Sequence, residues 1–320
     1  MRNAMLRQPG LRQLTQVIAD GARAIRRPHA DVQALIGLEH AAREPHQAAS
    51  ADDIAAHPNL SIGAVASATS AAAIRERPRE PCVLRGIAAD WPAVQRWSFA
   101  HLATLAPSLP VELVVGNREL GRTEFASSTL GAYLAELASP PADDAPPRHL
   151  KEFDLLATFA HLRQDLRPEL LFPRSAVVAS SAWIGPARAR TGLHCDRLDN
   201  VAMLVAGRKR FHLAPPHALR VPGDLSDKHD RWATLARIPF RELAARGEGP
   251  AALQAVDLLP GDALYVPAGW WHEVVNLEAS ILLSGFFGSR RHVIGQWART
   301  GLVQAAHAAG LWRRGRCTCH

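Results

Sequence analysis

The segment Thr191–Pro216 constrains the fold more than any other part of the chain. Its sequence, TGLHCDRLDNVAMLVAGRKRFHLAPP, contains two short runs rich in apolar residues, with Gly207 between them. This pattern predicts two β-strands over residues 200–206 and 208–213, joined at the glycine as a hairpin. The rest of the chain is therefore expected to organise around a sheet that contains this segment.

The same segment carries two candidate metal ligands. His194 and Asp196 lie two residues apart, so an extended strand directs both side chains to one face. An imidazole and a carboxylate need one more histidine to form the facial triad of non-heme Fe(II) oxygenases. His272, in GDALYVPAGWWHEVVN, is the candidate. With 15 His and 30 Asp and Glu in 320 residues, a His-x-Asp pair also arises by chance. The residues around the pair therefore decide whether it is a metal site.

A lysine strengthens the case for a ligand site. On the second predicted strand, Lys209, Phe211 and Leu213 share one face. A lysine on an apolar face needs an anion or loses its charge, because burying an unpaired ammonium group is costly. The chain has only two other lysines, Lys151 and Lys228, so a casual surface charge is the weaker explanation. A bound dicarboxylate would supply the anion.

These residues resemble the core of the JmjC (cupin-like) Fe(II)- and 2-oxoglutarate-dependent oxygenases, especially the protein hydroxylases related to the asparaginyl hydroxylase of hypoxia-inducible factor. In that family a Thr, a His-x-Asp, an Asn and a Lys follow one another at this spacing, and the second histidine follows a Trp-Trp pair. The matching positions are Thr191, His194, Asp196, Asn200, Lys209, Trp270, Trp271 and His272. The close match covers residues 183–287.

The resemblance implies a mainly β fold with helices, in which a double-stranded β-helix (the cupin/JmjC jelly roll) carries helical additions at both ends. It implies Fe(II) held by the catalytic residues His194, Asp196 and His272, with 2-oxoglutarate as cosubstrate. The implied cofactor-binding residues are Thr191 and Lys209, which would hold the distal carboxylate, together with Asn200, Trp183 and Val274. The implied activity is hydroxylation of a protein or peptide side chain, with release of succinate and CO2.

Other functions stay open at this stage. The same chemistry could act on a small metabolite, or could remove a methyl group from N-methyl-lysine. The chain could also be a non-catalytic cupin-like protein that binds a metal or a carboxylate, or a cupin enzyme with another metal and no 2-oxoglutarate. The triad and Lys209 together argue against the non-catalytic protein. A Lys209→Ala variant would discriminate the enzyme with another metal, because it should abolish cosubstrate affinity only if the lysine anchors the carboxylate.

One further strand pair and a closing strand are predicted towards the C-terminus. Residues 255–259 and 263–266 flank a Pro-Gly-Asp turn and read as a second hairpin, which would bring His272 back to the first two ligands. Residues 280–287 form an apolar closing strand. Here the sequence departs from the hydroxylase pattern, because Gly285 stands where an asparagine is expected.

Composition and patterning divide the chain into three parts. Residues 1–50 are a helical N-terminal extension with amphipathic helices over 11–25 and 32–42, residues 51–290 are the catalytic domain, and residues 291–320 are a C-terminal helix and tail. The apolar stripes of the terminal helices would allow a homodimer. The polar insertion 217–249 is expected to be a lid, a binding surface or a mobile loop. The final Cys-Thr-Cys-His is expected to be a frayed tail, because a fourth metal ligand and a rigid frame are lacking.

Charge and cysteine content limit which binding partners and which cellular compartment are expected. The net charge is +7, but the arginines are dispersed among acidic residues, so a solvated surface fits better than a nucleic-acid site. An acidic peptide substrate is compatible with that surface. Four cysteines do not form a spaced disulfide framework, which favours a reducing, cytoplasmic location. No apolar stretch is long enough to span a bilayer, so no membrane partner is expected.

Overall fold

A computed structural model describes residues 62–68, 70–138, 145–172, 177–219, 222–246, 253–313 and 315–319. All of them belong to one compact unit, which spans residues 46–320. The helices predicted over 11–25 and 32–42 lie outside the described residues. The domain boundaries predicted after residues 50 and 290 stay predictions.

Most of the regular structure in these residues is β. The strands are β1 Gly63–Ala64, β2 Ala66–Ser67, β3 Cys82–Leu84, β4 Pro110–Val115, β5 Phe125–Thr129, β6 Arg148–Phe153, β7 Val177–Gly185, β8 Arg190–Asp196, β9 Asp199–Ala206, β10 Lys209–Ala214, β11 Ala233–Leu235, β12 Gln254–Leu258, β13 Ala263–Val266, β14 Trp271–Asn276 and β15 Ser280–Gly288. The predicted strands at 263–266 and 280–287 are confirmed.

The helices are short until the C-terminus. They are α1 Ala72–Arg75, α2 Pro92–Arg96, α3 Phe99–Leu105, α4 Leu130–Leu137, α5 Leu155–Thr158, α6 Phe240–Ala245 and α7 Arg290–Ala308. Ser98, Thr129 and Ser289 cap α3, α4 and α7, because each side-chain oxygen accepts a hydrogen bond from a backbone N–H in the first turn. None of the helices in the described part of the chain has the length and apolarity needed to cross a membrane.

Two sheets face each other and form a jelly roll, as expected. Four central strands of one sheet lie in the order β12-β10-β14-β8, and four of the other in the order β13-β9-β15-β7. β1 and β11 extend the first sheet to six strands. Further strands at both edges extend the second sheet to nine. Apolar side chains of the two inner faces, including Leu204, Phe211, Leu258 and Leu264, pack together between the sheets.

Helices cover the outer faces. Trp91, Tyr133 and Leu134 belong to a large buried cluster on the nine-stranded sheet, and Phe240 and Leu243 of α6 pack with Leu193 on the six-stranded sheet. Each such side chain contributes about 1.5–3 kcal/mol when it is removed from water. Both sheets are thereby held firmly enough to position side chains in the space between them.

The two predicted hairpins are wrong. β9 pairs with β13 and β15 of one sheet, whereas β10 pairs with β12 and β14 of the other. Likewise, β12 belongs to the six-stranded sheet and β13 to the nine-stranded sheet. β9 is buried along almost its whole length, so both of its faces are apolar and alternation could not reveal its partner. The turn at Gly207 is correctly predicted, but it carries the chain across the sandwich.

The turn that carries the chain from one sheet to the other requires a glycine at position 207. Its φ is +78°, and a Cβ atom would lie 2.0 Å from the carbonyl oxygen of Ala279. We expect Gly207→Ala to lower the free energy of unfolding by roughly 2–3 kcal/mol, from the left-handed backbone and the clash together. Gly86→Ala is the matched control for urea denaturation, because Gly86 has φ +62° but open space around it. Equal losses in the two variants would contradict the role of the crossing.

The described part of the insertion 217–249 contains regular secondary structure. It contributes β11, which pairs with β8, the strand of the candidate ligands His194 and Asp196. It also contributes α6, which packs on the outer face of the same sheet. Leu235 pairs with His194, and Ala233 pairs with Asp196. The part of the insertion that the structure describes therefore supports the site strand. Its role in substrate binding stays a prediction.

Candidate metal centre and cofactor pocket

Adjacent strands bring the three predicted metal ligands together. His194 and Asp196 lie on β8, and His272 lies directly opposite His194 on the antiparallel strand β14. Their ligand atoms all lie within 4.8 Å of one another. The imidazole rings of the two histidines are 4.1 Å apart between centroids. The Asp196 oxygens lie 3.9 Å from Nε2 of His194 and 3.5 Å from Nε2 of His272.

Backbone carbonyls fix the tautomers of both histidines. Nδ1 of His194 lies 2.7 Å from the carbonyl oxygen of Gly192, and Nδ1 of His272 lies 3.1 Å from that of Trp270. A carbonyl oxygen can only accept, so each Nδ1 carries the hydrogen. The lone pair is then on Nε2, the atom that faces Asp196. This arrangement is typical of histidines that ligate a metal.

Burial keeps the imidazoles neutral. It lowers the pKa of His272 to about 4, and burial together with the neighbouring His272 lowers the pKa of His194. Both rings therefore offer a lone pair at neutral pH. Burial also raises the pKa of Asp196 to about 6, which still leaves the carboxylate largely ionised at pH 7. Two neutral imidazoles and one carboxylate are the donors of the facial triad.

A β-bulge brings Thr191 to the same side of the sheet as the candidate metal ligands. In a regular strand, Thr191 and His194 would face opposite ways, because side chains alternate. The pairing between β8 and β14 shifts, however. On β14, His272 and Val274 are two residues apart, whereas their partners on β8, His194 and Thr191, are three residues apart. One extra residue in β8 absorbs the difference. Thr191, His194 and Asp196 therefore all line one cavity.

The bulge also directs backbone groups of Gly192 to polar side chains. Its carbonyl oxygen accepts from His194, and its N–H donates to Oε2 of the buried Glu119 at 3.1 Å. A Cβ atom on Gly192 would lie 2.8 Å from Cβ of Glu119. Glu119 also accepts two hydrogen bonds from Lys151, at 2.9 and 3.0 Å. Lys151 thus belongs to the outer support of His194, a role that gives no signal in the sequence.

The cavity holds all eight predicted site residues and has about 350 Å³ of empty volume, including its open mouth. Its walls add Phe211, Leu282, Ser284 and Phe286, which were not predicted as site residues. The last three alternate along β15, so the inner face of that strand could have been read from the sequence once Leu282 was assigned to it. The full lining is Trp183, Thr191, His194, Asp196, Asn200, Lys209, Phe211, His272, Val274, Leu282, Ser284 and Phe286.

Gly285 does not lie on this lining. Its neighbours Ser284 and Phe286 do, and the space where its own Cβ would be is filled by the Phe172 ring, 2.3 Å from the ideal Cβ position. A larger side chain at position 285 would therefore displace Phe172. The asparagine expected from the hydroxylase pattern has no equivalent at this position of the cavity.

Lys209 lies in the cavity with its side chain fully buried. Only 1% of the residue is exposed, and no described carboxylate pairs with it. Burial, with a further contribution from Lys151, lowers its pKa to about 7. Lys209 is four residues along β10 from Leu213, which lies opposite His272. At about 3.3 Å per residue, its Cα is about 13 Å along the strand from the level of the metal ligands.

Buried polar atoms around the cavity lack protein partners. Among the described residues, Oδ2 of Asp196, Oδ1 of Asn200 and Nε1 of Trp183 make no hydrogen bond. Buried polar atoms are normally satisfied, so each of these needs an explanation. A metal ion on the Asp196 oxygen and a polar ligand in the cavity would supply the missing partners. The donor set and the unpaired Lys209 ammonium thus fit Fe(II) and a dicarboxylate.

Comparison with known proteins gives a consistent picture. A model of the family described as "Cupin-like domain" matches residues 72–291. The HSPB1-associated protein 1 homolog of Danio rerio is 30% identical over 229 residues, which cover 62% of this chain and 50% of that protein. Lysine-specific demethylase JMJ21 of Arabidopsis thaliana is 26% identical over 259 residues, covering 75% of this chain and 26% of that protein.

A further relative is lysine-specific demethylase 8 of Xenopus tropicalis. It is 25% identical over 215 residues, which cover 65% of this chain and 48% of that protein. The chain thus spans half or less of the length of these three relatives. The matched family region contains the three candidate ligands and the whole cavity lining.

Proposed function

Since the chain belongs to the cupin-like, JmjC-type family, we propose that it is an Fe(II)- and 2-oxoglutarate-dependent oxygenase that hydroxylates a protein or peptide side chain. One observation carries the proposal. Two neutral imidazoles and a carboxylate converge in a cavity that also holds a buried, unpaired ammonium group. The two imidazoles and the carboxylate suit a metal ion with open coordination positions, and the ammonium group suits a dicarboxylate.

The residues have distinct roles in this proposal. His194, Asp196 and His272 would hold Fe(II), with the hydrogens of both imidazoles kept at Nδ1 by backbone carbonyls. Lys209 and Thr191 would bind the distal carboxylate of 2-oxoglutarate. When bound, Fe(II) and 2-oxoglutarate supply the activation of dioxygen for insertion of one oxygen atom into a C–H bond.

The remaining walls would hold the cosubstrate in one orientation. Phe211, Val274 and Leu282 are apolar and would exclude water from it, which strengthens the charge interaction with Lys209. Asn200 and Trp183 each have a side-chain polar atom without a protein partner and would bind polar groups of the ligands. The protein's contribution is therefore binding, orientation and exclusion of side reactions.

An anaerobic titration tests the site directly. Adding Fe(II) and 2-oxoglutarate to the full chain should produce the weak visible charge-transfer band of the chelated keto acid. Exposure to air with a substrate should then release succinate and CO2. A folded preparation that shows neither the band nor 2-oxoglutarate binding would contradict the proposal, and would favour a cupin-like protein with another ligand.

Demethylation is the second candidate, because several relatives are named as lysine-specific or arginine-specific demethylases. The same oxygen insertion into an N-methyl group gives a carbinolamine, which loses formaldehyde. Hydroxylation of a carbon side chain instead leaves a product that is heavier by one oxygen atom. Mass spectrometry of candidate peptides together with a formaldehyde assay therefore separates the two outcomes. A small-molecule substrate would give succinate without any modified peptide.

A further inference from the structure

A second group of metal-ligating side chains lies near the C-terminus and shares no residue with the triad. It consists of His307, near the end of α7, and Cys317 and Cys319 of the tail. One ligand atom from each lies within 4.8 Å of the others. His307 and Cys317 are almost fully buried, with 2% and 1% exposure. The final His320 lies outside the described residues.

The tail is docked, which contradicts the expectation of a frayed end. The backbone N–H of His229 donates to the carbonyl oxygen of Arg316 at 2.7 Å, and the N–H of Thr318 donates back to His229 at 3.1 Å. His229 and Cys317 thereby form a parallel bridge. These bonds fix the backbone on both sides of the Cys-Thr-Cys segment.

Side chains from two other regions hold the same segment. The Thr123 hydroxyl donates to the carbonyl oxygen of Cys317 at 2.7 Å, and the Thr318 hydroxyl donates to Asp230 at 2.7 Å. The carbonyl oxygen of Thr318 accepts a longer bond, at 3.4 Å, from Arg118. The two cysteines are therefore presented by a rigid frame, which the sequence alone did not reveal.

His307 is oriented in the same way as the two histidines of the triad. Its Nδ1 lies 2.7 Å from the carbonyl oxygen of Trp312 and so carries the hydrogen. The lone pair is then on Nε2, which lies 3.2 Å from the sulfur of Cys319. Metal-binding histidines typically donate the N–H of one ring nitrogen to an acceptor such as a backbone carbonyl and direct the other nitrogen to the metal. His307 has this arrangement, with Nδ1 at the carbonyl and Nε2 at Cys319.

His229 supplies a further imidazole beside this group. Its ring centroid is 4.2 Å from that of His307. Its Nε2 lies 3.1 Å from the carbonyl oxygen of the Gln304 side chain, which leaves the lone pair on Nδ1. His229 is not among the residues whose ligand atoms lie within 4.8 Å of one another, so its ring flanks the group. Two thiols and one imidazole are donors that structural zinc sites commonly combine, and thiolates select zinc over harder divalent ions.

We propose that His307, Cys317 and Cys319 bind a Zn²⁺ ion as three of its four ligands. The ion would join α7 to the tail, because α7 contributes His307 and the tail contributes both cysteines. The backbone bridge between His229 and Cys317 links the tail in turn to the described part of the insertion 217–249. The tail also contacts Arg118, whose Nε bonds to Glu119, the residue that holds Gly192 behind His194. The site would thus brace the outer support of the triad without touching it.

Cobalt titration of the metal-free full chain under reducing conditions tests the proposal. Co²⁺ should give sulfur-to-cobalt charge-transfer absorption and the strong visible bands of a tetrahedral thiolate site, and Zn²⁺ should abolish both. Cys317→Ser and Cys319→Ser should each remove most of the charge-transfer band. Asp196→Ala should retain it, because the triad contains no thiol, and Cys82→Ser controls for loss of a buried thiol outside the cluster.

An alkylation experiment on the unmodified chain covers the case in which the cysteine variants do not fold. Zn²⁺ should slow the alkylation of Cys319, and Mg²⁺ at the same concentration should not. The proposal is overturned if folded protein gives no thiolate band and no zinc protection. It is also overturned if mass spectrometry finds Cys317 and Cys319 joined as a disulfide under the same reducing conditions.

Discussion

Replacing Asp196 with alanine should reduce 2-oxoglutarate-dependent succinate formation by more than about a hundredfold. Losing an outer-shell partner of a metal ligand typically costs ten- to a hundredfold, and Asp196 is proposed to be a ligand itself. Without the carboxylate, two neutral imidazoles would remain to hold Fe(II). The charge-transfer band of the anaerobic titration should disappear in parallel with turnover.

The same variant should fold at least as well as the wild type when no metal is present. Oδ2 of Asp196 is buried without a hydrogen-bond partner, so removing the carboxylate relieves an unsatisfied group. Urea denaturation of the metal-free proteins measures this difference. Cys195→Ser is the matched control, because Cys195 lies between the two ligands on β8 and packs towards the outer cluster. Unchanged turnover in Asp196→Ala would remove the basis for the proposed metal centre.

Replacing Lys209 with methionine should have opposite effects on binding and on stability. Affinity for 2-oxoglutarate should fall about ten- to a hundredfold, the range expected for a hydrogen bond to a charged group. The metal-free, ligand-free protein should become more stable, because methionine fills a similar volume without a buried unpaired charge. Isothermal titration calorimetry and urea denaturation measure the two effects.

The stability gain should depend on pH with a defined sign. Burial lowers the pKa of Lys209 from 10.5 to about 7. Between these values the unfolded chain holds a proton that the folded chain has lost, so the stability of the wild type rises with pH. The gain from methionine should be largest below pH 7, where it amounts to several kcal/mol, and should vanish towards pH 10.5.

Lys228→Met is the control for this experiment. The Lys228 ammonium donates to the carbonyl oxygen of Gly121 at 2.9 Å and to the hydroxyl of Thr123 at 3.0 Å. Methionine would lose these bonds and leave the acceptors without a donor, so the variant should be less stable than the wild type. A loss of stability in Lys209→Met as well would mean that its ammonium is satisfied in the ligand-free protein.

Local pattern and resemblance were sufficient to predict which three side chains converge as candidate metal ligands. Alternation along a strand put His194 and Asp196 on one face, and the Trp-Trp-His resemblance selected His272. The same rule failed for strand pairing, because β9 is apolar on both faces and gives no indication of which sheet it joins. It also could not place Thr191 beside His194, since an extra residue in β8 reverses the alternation between them.

The parts of the site that the sequence did not reveal depend on contacts between distant residues. Glu119 lies 73 positions before Gly192, with which it forms a hydrogen bond, and nothing near it in the chain marks it as a support for a metal ligand. The ordered tail depends on Thr123, His229 and Asp230 in the same way. Such residues become visible only when the strands that carry them are in place.

The bulge in β8 makes the two proposed binding tasks of that strand geometrically independent. On the C-terminal side of the bulge, His194 and Asp196 follow the regular alternation of side chains in the pairing with β11. On its N-terminal side the alternation is shifted by one residue, so Thr191 faces the cavity. Metal specificity and cosubstrate size could therefore diverge separately in related chains, through changes on either side of a single inserted residue.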